Sequence, residues 1–348
     1  AAFLALPIAL APMAQTPPEQ GEAVWLIGVF ALSVGLPFFA VSANGPLLQA
    51  WFARSGHPQA RDPYFLYGAS NIGSFAALIA YPLVIEPFVA LGAQGRAWTV
   101  GFAALALAIA AAAALASGRE SSAAESRADD GPAPTARQRL SWIALAAVPS
   151  GLLVAVTAHI STDVAAAPLL WVVPLALFLA TFVLVFRERP VISETTLNRA
   201  QIALVGLVAA QHLAGFKSIW LTLALHLSLF FVAAMACHAA LYARRPQASR
   251  LTEFYMLMSL GGVIGGVFCG LIAPRIFSSV AEYPLLIAAS LFCASPALAA
   301  FARGGATEGP MLPRGRGGIV VMSALMLAMI AMIGLAPHQG AVAGAALA

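Results

Sequence analysis

The chain reads as long apolar runs broken by short polar ones. Apolar segments lie near residues 1–14, 22–53, 64–90, 96–117, 140–158, 163–186, 200–214, 218–243, 253–276, 281–302 and 317–336. Most approach the roughly 20 residues that a helix needs to cross a bilayer. The pattern predicts an all-α fold, a polytopic transmembrane helix bundle. Segment 22–53 is too long for one straight span and holds Pro37, Gly45 and Pro46, so a kinked helix is expected there. Segment 200–214 is short. Residue 1 falls inside an apolar run, and the expectation is an N-terminally truncated bundle with further helices ahead of it.

The run Leu251 to Pro274 carries five glycines, Gly261, Gly262, Gly265, Gly266 and Gly270. In water each would weaken a helix by roughly 1 kcal/mol against alanine. In a bilayer, small residues four apart let two helix backbones approach closely. Gly261 with Gly265, and Gly262 with Gly266, have that spacing. The stretch Asp62 to Pro82 mirrors this run at an offset of 192 residues, which puts Ile72 on Ile264, Gly73 on Gly265 and Pro82 on Pro274. An apolar helix, a basic loop, an acid, an aromatic, a small-residue helix and a proline follow in the same order both times. Such half-chain repeats mark many transporter folds.

Residues 118–139 are rich in Ser, Ala, Pro and mixed charge and read as a flexible linker. The expected organisation is a partial N-terminal membrane half over 1–117, the linker over 118–139, a C-terminal half over 140–303, and an extra helix with a tail over 304–348. With two spans missing at the start, this is the two-half repeat arithmetic of the major facilitator fold.

Composition agrees with a membrane class. Hydrophobic residues are 61% and charged residues 9% of the chain, and mean hydropathy is +0.88. Soluble domains carry about 25% charged residues. The net charge of +4 is spread between apolar runs, so it marks topology and gives no nucleic-acid footprint. Fifteen of the eighteen Lys and Arg fall in alternate loops, the exceptions being Arg96, Lys217 and Arg275. The positive-inside rule makes the Arg-rich side cytoplasmic, with a bacterial inner membrane as the expected location. Cys237, Cys269 and Cys293 all lie inside apolar runs and form no CxxC, so no redox role is expected. No P-loop, HExxH or GxSxG is present, and no catalytic residue, cofactor or metal site is expected.

Polar residues inside the apolar runs are the candidate chemistry. Asn44, with Ser42 and Gln49, could line a polar path or satisfy the backbone of a kink. Tyr67, Asn71 and Ser74 share one helix face, suited to a polar solute or to interhelical hydrogen bonds. His159 and Asp163 in HISTD are four residues apart. One helical turn would set imidazole against carboxylate as a proton or cation relay. Alternatively Ser161 or Thr162 caps the next helix, with Asp163 favoured by that helix's N-terminus. His226 and His238, twelve residues apart, are read as pointing to similar faces, and either could pair with Glu253. Asn44, Tyr67, Asn71, His226 and Glu253 are the expected solute-binding set. His159, Asp163 and His238 are the expected coupling or gating set.

Three motif groups carry a resemblance: PFFAVSANGPLLQAWFA with ARDPYFLYGASNIGS; HISTDVAAAPLLWVVPLALFLATFVLVF; and ACHAALYARRP with LTEFYMLMSLGGVIGGVF and EYPL. Over roughly Pro37 to Pro284 the chain resembles the membrane region of bacterial fused major-facilitator/spermidine-synthase-like proteins. In that family a polytopic region precedes a cytosolic aminopropyltransferase-like domain, which uses decarboxylated S-adenosylmethionine. No stretch of these residues reads as such a domain. The resemblance also meets a local departure, Cys237-His238-Ala239-Ala240-Leu241 where the family often has CHGEL. The half-chain repeat and the polar residues make a transporter-like domain for a small polar or cationic solute one expectation, and the resemblance brings polyamines into view. The other expectation is a non-transporting anchor for an enzyme domain. The expected partners are the lipid bilayer, the solute and a cytosolic enzyme domain.

Overall fold

The computed structural model describes residues 2–117, 133–164, 170–187, 191–215 and 218–293. Every regular element among them is helical. Among the described residues six helices are long and apolar enough to cross a bilayer, and two shorter apolar helices accompany them. The protein is thus a multi-pass helical membrane chain. It divides into two compact units, Ala1–Gly131 with Gln247–Thr252, and Pro132–Pro246 with Glu253–Ala348.

The first unit opens with two short 3-10 turns, Ala2–Ala5 and Pro12–Gln15. The apolar run at 1–14 is therefore not part of a span. Pro7 and Pro12 supply no N–H to a helical ladder, which breaks the run despite its hydropathy. Helix α1 spans Glu22–Ala53, α2 Phe65–Phe88 and α3 Leu91–Ser117. Helix α1 is interrupted as expected, by a π-helical turn at Ala31–Gly35 and a break at Ala43. The π turn precedes Pro37, whose ring would collide with the Ser33 carbonyl in a regular helix. Helix α2 has its own π turn at Tyr81–Ile85, around Pro82.

The second unit holds α4 (Ala136–His159), α5 (Val172–Val185), α6 (Glu194–Leu213), α7 (Ile219–Ala243), α8 (Leu251–Val267) and α9 (Glu282–Cys293). Helix α4 starts four residues inside the expected linker. Thr135 and Gln138 form a reciprocal capping box there, Gln138 N–H donating to Thr135 Oγ1 at 3.3 Å and Thr135 N–H to Gln138 Oε1 at 2.8 Å. The short apolar run at 200–214 is the C-terminal part of α6. That helix begins at Glu194 because the Ser193 hydroxyl accepts from Thr196 N–H at 3.1 Å. Most of the linker and the apolar run at 317–336 lie outside the described residues.

Helix α7 is the centre of this unit and packs on α4, α5, α6 and α9. Its inner face is built from small residues beside large ones: Ala233, Ala234 and Cys237 with Leu229, Phe230 and Leu241, all fully buried. Helices α4 and α8 cross at backbone contact. A Cβ on Gly261 would meet the Ile143 carbonyl and stand 2.8 Å from Ala146 Cβ. A Cβ on Gly265 would meet the Ala147 carbonyl and stand 2.7 Å from Gly151 N. Ala147 and Gly151 are themselves four apart, so two small-residue pairs face each other. The second glycine pair is not in the crossing: Gly262 has Ser150 Oγ at 3.6 Å and Gly266 has open space. After α8 a π turn at Phe268–Ile272 precedes Pro274, whose ring would collide with the Gly270 carbonyl in a regular helix. The offset of 192 carries Tyr81 onto Ala273, while this turn begins at Phe268, so the two π turns are out of register in the sequence repeat.

A candidate site of histidines and a tyrosine

Helix α4 ends at the same end of the second unit where α7 and α9 begin. Three rings meet there, His159 from α4, His226 from α7 and Tyr283 from α9. The His159 and Tyr283 rings lie 5.2 Å apart at 12°, stacked. His159 and His226 are 4.5 Å apart, and His226 and Tyr283 are 5.5 Å apart. His226 Nδ1 and the Tyr283 hydroxyl share a hydrogen bond of 2.9 Å. His226 and Tyr283 are buried. The neighbouring Glu282 is buried too, on the first turn of α9, where the helix N-terminus favours a carboxylate. The arrangement brings two imidazoles and a phenol together, groups able to take up and pass on a proton.

The opposite end of the unit is closed by a different set. Arg139 Nε donates to Glu253 Oε1 at 2.6 Å, joining α4 to α8. Trp142 Nε1 donates to the Arg244 carbonyl at 2.9 Å, and its ring meets Phe254 edge-on at 5.3 Å. The Arg245 guanidinium lies 3.8 Å over the Tyr242 ring.

Two buried polar pairs lie between these ends. His238 Nδ1 is 2.7 Å from Thr181 Oγ1, and the imidazole stacks on Phe182 at 3.9 Å. The Thr181 hydroxyl has one proton, given to the Phe178 carbonyl at 2.6 Å. It therefore accepts from the imidazole, and His238 carries its proton on Nδ1. In the second pair Gln201 Nε2 donates to Ser290 Oγ at 2.7 Å, and Ser290 in turn donates to the Ile287 carbonyl at 2.7 Å. Among the described residues no group of three or more His, Cys, Asp or Glu side chains is placed to hold a metal.

Family models, curated proteins and solved structures yield no match to this chain.

The expected solute-binding set divides between the units. In the first, Asn44 is half-buried at the start of the last segment of α1, and Asn71 is buried on α2. Tyr67 and Asn71 share a face, but the Asn71 amide donates to the Tyr67 carbonyl at 2.8 Å, one turn back on its own helix. In the second, His226 and Glu253 sit at opposite ends. Seventeen helical residues, about 25 Å of rise, separate His226 from the end of α7 that leads to α8. The pairing of Glu253 with a histidine is thereby corrected: Arg139 holds the carboxylate. The histidine faces are corrected as well. Twelve residues turn a helix by about 120° beyond whole turns. His226 accordingly faces α4 and α9, and His238 faces α5.

HISTD takes a form between its two readings. The backbone from Ile160 to Val164 is a π-helical turn continuing α4. His159 and Asp163 are therefore on one continuous helical stretch, and neither Ser161 nor Thr162 caps a following helix. Tyr283, Thr181, Gln201 and Ser290 were not among the expected site residues. Their signal is faint: single polar residues in apolar runs, whose partners are 57 to 89 positions away.

Proposed function

We propose that this chain is a transporter-like membrane domain that handles a small polar or cationic solute. The observation that carries the reading is the His159, His226 and Tyr283 cluster. Ionisable side chains from three helices meet inside an apolar bundle, and such groups are expensive there unless they do something. The cluster at one end and the Arg139–Glu253 pair at the other suit a domain that opens to one side at a time. In this reading Asn44, Tyr67 and Asn71 contribute solute contacts, and His159, Asp163 and His238 serve coupling or gating. The two-half major-facilitator arrangement, the bacterial inner membrane and the cytoplasmic placement of the Arg-rich loops belong to the same proposal. The resemblance makes polyamines the first solutes to test.

The experiment is uptake of labelled polyamine by proteoliposomes, normalised to folded protein. His159→Gln, His226→Gln and Asp163→Asn should fold and lose most uptake. Wild-type uptake in all three would refute the role given to the cluster. The same resemblance supports a second reading, an anchor for an aminopropyltransferase-like enzyme. Its signature is an absence of uptake by the wild type together with co-purification of such an enzyme.

A further inference from the structure

Helices α5 and α7 finish, and α4 and α6 begin, at one end of the second unit. The Tyr242 hydroxyl at the finish of α7 donates to the Arg187 carbonyl just after α5, at 3.2 Å. Gln211 near the finish of α6 bonds Thr222 near the start of α7, so these two helices run antiparallel. Among the described residues this end carries Arg137, Arg139, Arg187, Arg199, Arg244 and Arg245 against Glu194 and Glu253. The far end carries Arg275 against Asp163 and Glu282. Arg139 already matches Glu253. The end is thus left with an excess of positive charge that its own carboxylates do not balance.

Three of these arginines are displayed in a particular way. The Arg245 guanidinium lies over the Tyr242 ring and donates from Nη1 to the Tyr242 carbonyl at 3.0 Å. Phe186 backs that ring at 5.0 Å. Arg187 is exposed, and its backbone is tied to the same tyrosine. Arg187 and Arg245 are therefore fixed to one aromatic ring, the first by its carbonyl and the second by its side chain. Arg199 is exposed on α6, five residues after Glu194, about 7.5 Å of rise inside the helix. It lies opposite the buried face of Leu197, Gln201, Val205 and Val208, with Ile202 and Leu207 exposed beside it. A guanidinium on the outer apolar face of a membrane helix is costly unless its stem carries it back to the headgroups.

We propose that this end of the second unit is a binding surface for anionic phospholipids, whose phosphodiesters are held by Arg187 and Arg245 around Tyr242 and by Arg199 on α6. The proposal stands apart from the transport reading. A guanidinium offers paired N–H groups whose spacing matches two phosphate oxygens. The ring of Tyr242 suits the same depth, since tyrosines settle at the membrane–water interface. A zwitterionic lipid offers the same phosphate but brings its own cation beside it. An end with unbalanced positive charge therefore favours a headgroup with a net negative charge. Each arginine near such a surface contributes about a five-fold preference. The apolar outer face of α6 below Arg199 lies where the acyl chains run.

Two measurements test this on the full chain. In the first, detergent-purified protein is given equal amounts of phosphatidylglycerol and phosphatidylcholine, and the retained lipids are counted by native mass spectrometry. The wild type should retain phosphatidylglycerol at least five-fold over phosphatidylcholine. Arg187→Gln/Arg245→Gln and, separately, Arg199→Gln should lose most of that preference. Arg275→Gln, at the far end, should keep it. Equal retention of the two lipids by the wild type overturns the proposal. An equal loss in Arg275→Gln overturns the site, because net charge alone would then explain the preference. Phosphatidylglycerol should stay bound in 50 mM inorganic phosphate; its release there would make this a free-anion site and overturn the lipid assignment. In the second measurement, Tm is followed in nanodiscs of phosphatidylcholine with and without 30% phosphatidylglycerol. The wild type should melt higher with the anionic lipid and Arg199→Gln should not, while both melt alike without it. Arg199 is exposed, so this variant keeps the test open if the double variant does not fold. An equal rise in both proteins overturns the role of Arg199.

Discussion

Adding one methyl group at each of four glycines in α8 should separate them into two classes. At Gly261 and Gly265 a Cβ runs into backbone atoms of α4, with Ala146 Cβ at 2.8 Å in the first case and Gly151 N at 2.7 Å in the second. Backbone atoms in a packed helix cannot swing aside as a side-chain end does, so the two helices must part. Overpacking of this kind costs about 1–3 kcal/mol. Replacing glycine by alanine within a helix returns up to about 1 kcal/mol. The net expectation for Gly261→Ala or Gly265→Ala is a loss of about 0–2 kcal/mol, and for the double variant about twice that. Gly266→Ala has nothing within 4 Å and Gly262→Ala meets Ser150 Oγ at an ordinary 3.6 Å. These two should be neutral or gain up to about 1 kcal/mol. The assay is thermal unfolding in one detergent, where about 1 kcal/mol moves Tm by 2–4 °C in a domain of this size. The double variant Gly261→Ala/Gly265→Ala should melt several degrees below Gly262→Ala/Gly266→Ala. Equal melting of the two double variants would refute the crossing.

Thr181→Val should leave the His238 Nδ1 proton without its acceptor and cost about 1–3 kcal/mol; combining it with His238→Phe should recover part of the lost Tm. Arg139→Ala should be mild, at most about 1 kcal/mol, because the two side chains of the pair are 41% and 22% exposed. Its effect should shrink further in 0.5 M salt, as Tm measured with and without salt would show. A cysteine at Ser121 should resist membrane-impermeant labelling in intact cells and react after lysis, since the linker is read as cytoplasmic; labelling from outside would reverse the orientation.

The spans were legible because hydropathy and length act locally. Pro37 foretold the interruption of α1, and the Gly261–Gly265 spacing foretold a close helix crossing. Local rules also explain several misses. The Thr135–Gln138 capping box was readable as T-x-x-Q, yet the polar composition around it hid the start of α4. Pro7 and Pro12 outweighed hydropathy at the N-terminal run. The HISTD turn followed the preceding helix because five more residues of π-helical backbone extend α4 beyond His159. Pairings across helices were the least legible part. Which of the two glycine pairs meets α4, and that Gln201 meets Ser290, depend on the rotation of each helix about its axis. A single sequence fixes that rotation only weakly in a segment apolar on all sides.

The glycine crossing also has a mechanical meaning. Its centre on α4 is near Ala147, about 12 Å of rise from Arg139 and about 18 Å from His159. Were α4 to rock as a rigid rod about that contact, its two arms would be unequal. Rocking that shifts the Arg139 end by about 1 Å moves the His159 end by about 1.5 Å in the opposite direction. Releasing one ion pair at the short arm would then be amplified at the long one, where the stacked rings of His159 and Tyr283 would slide out of register.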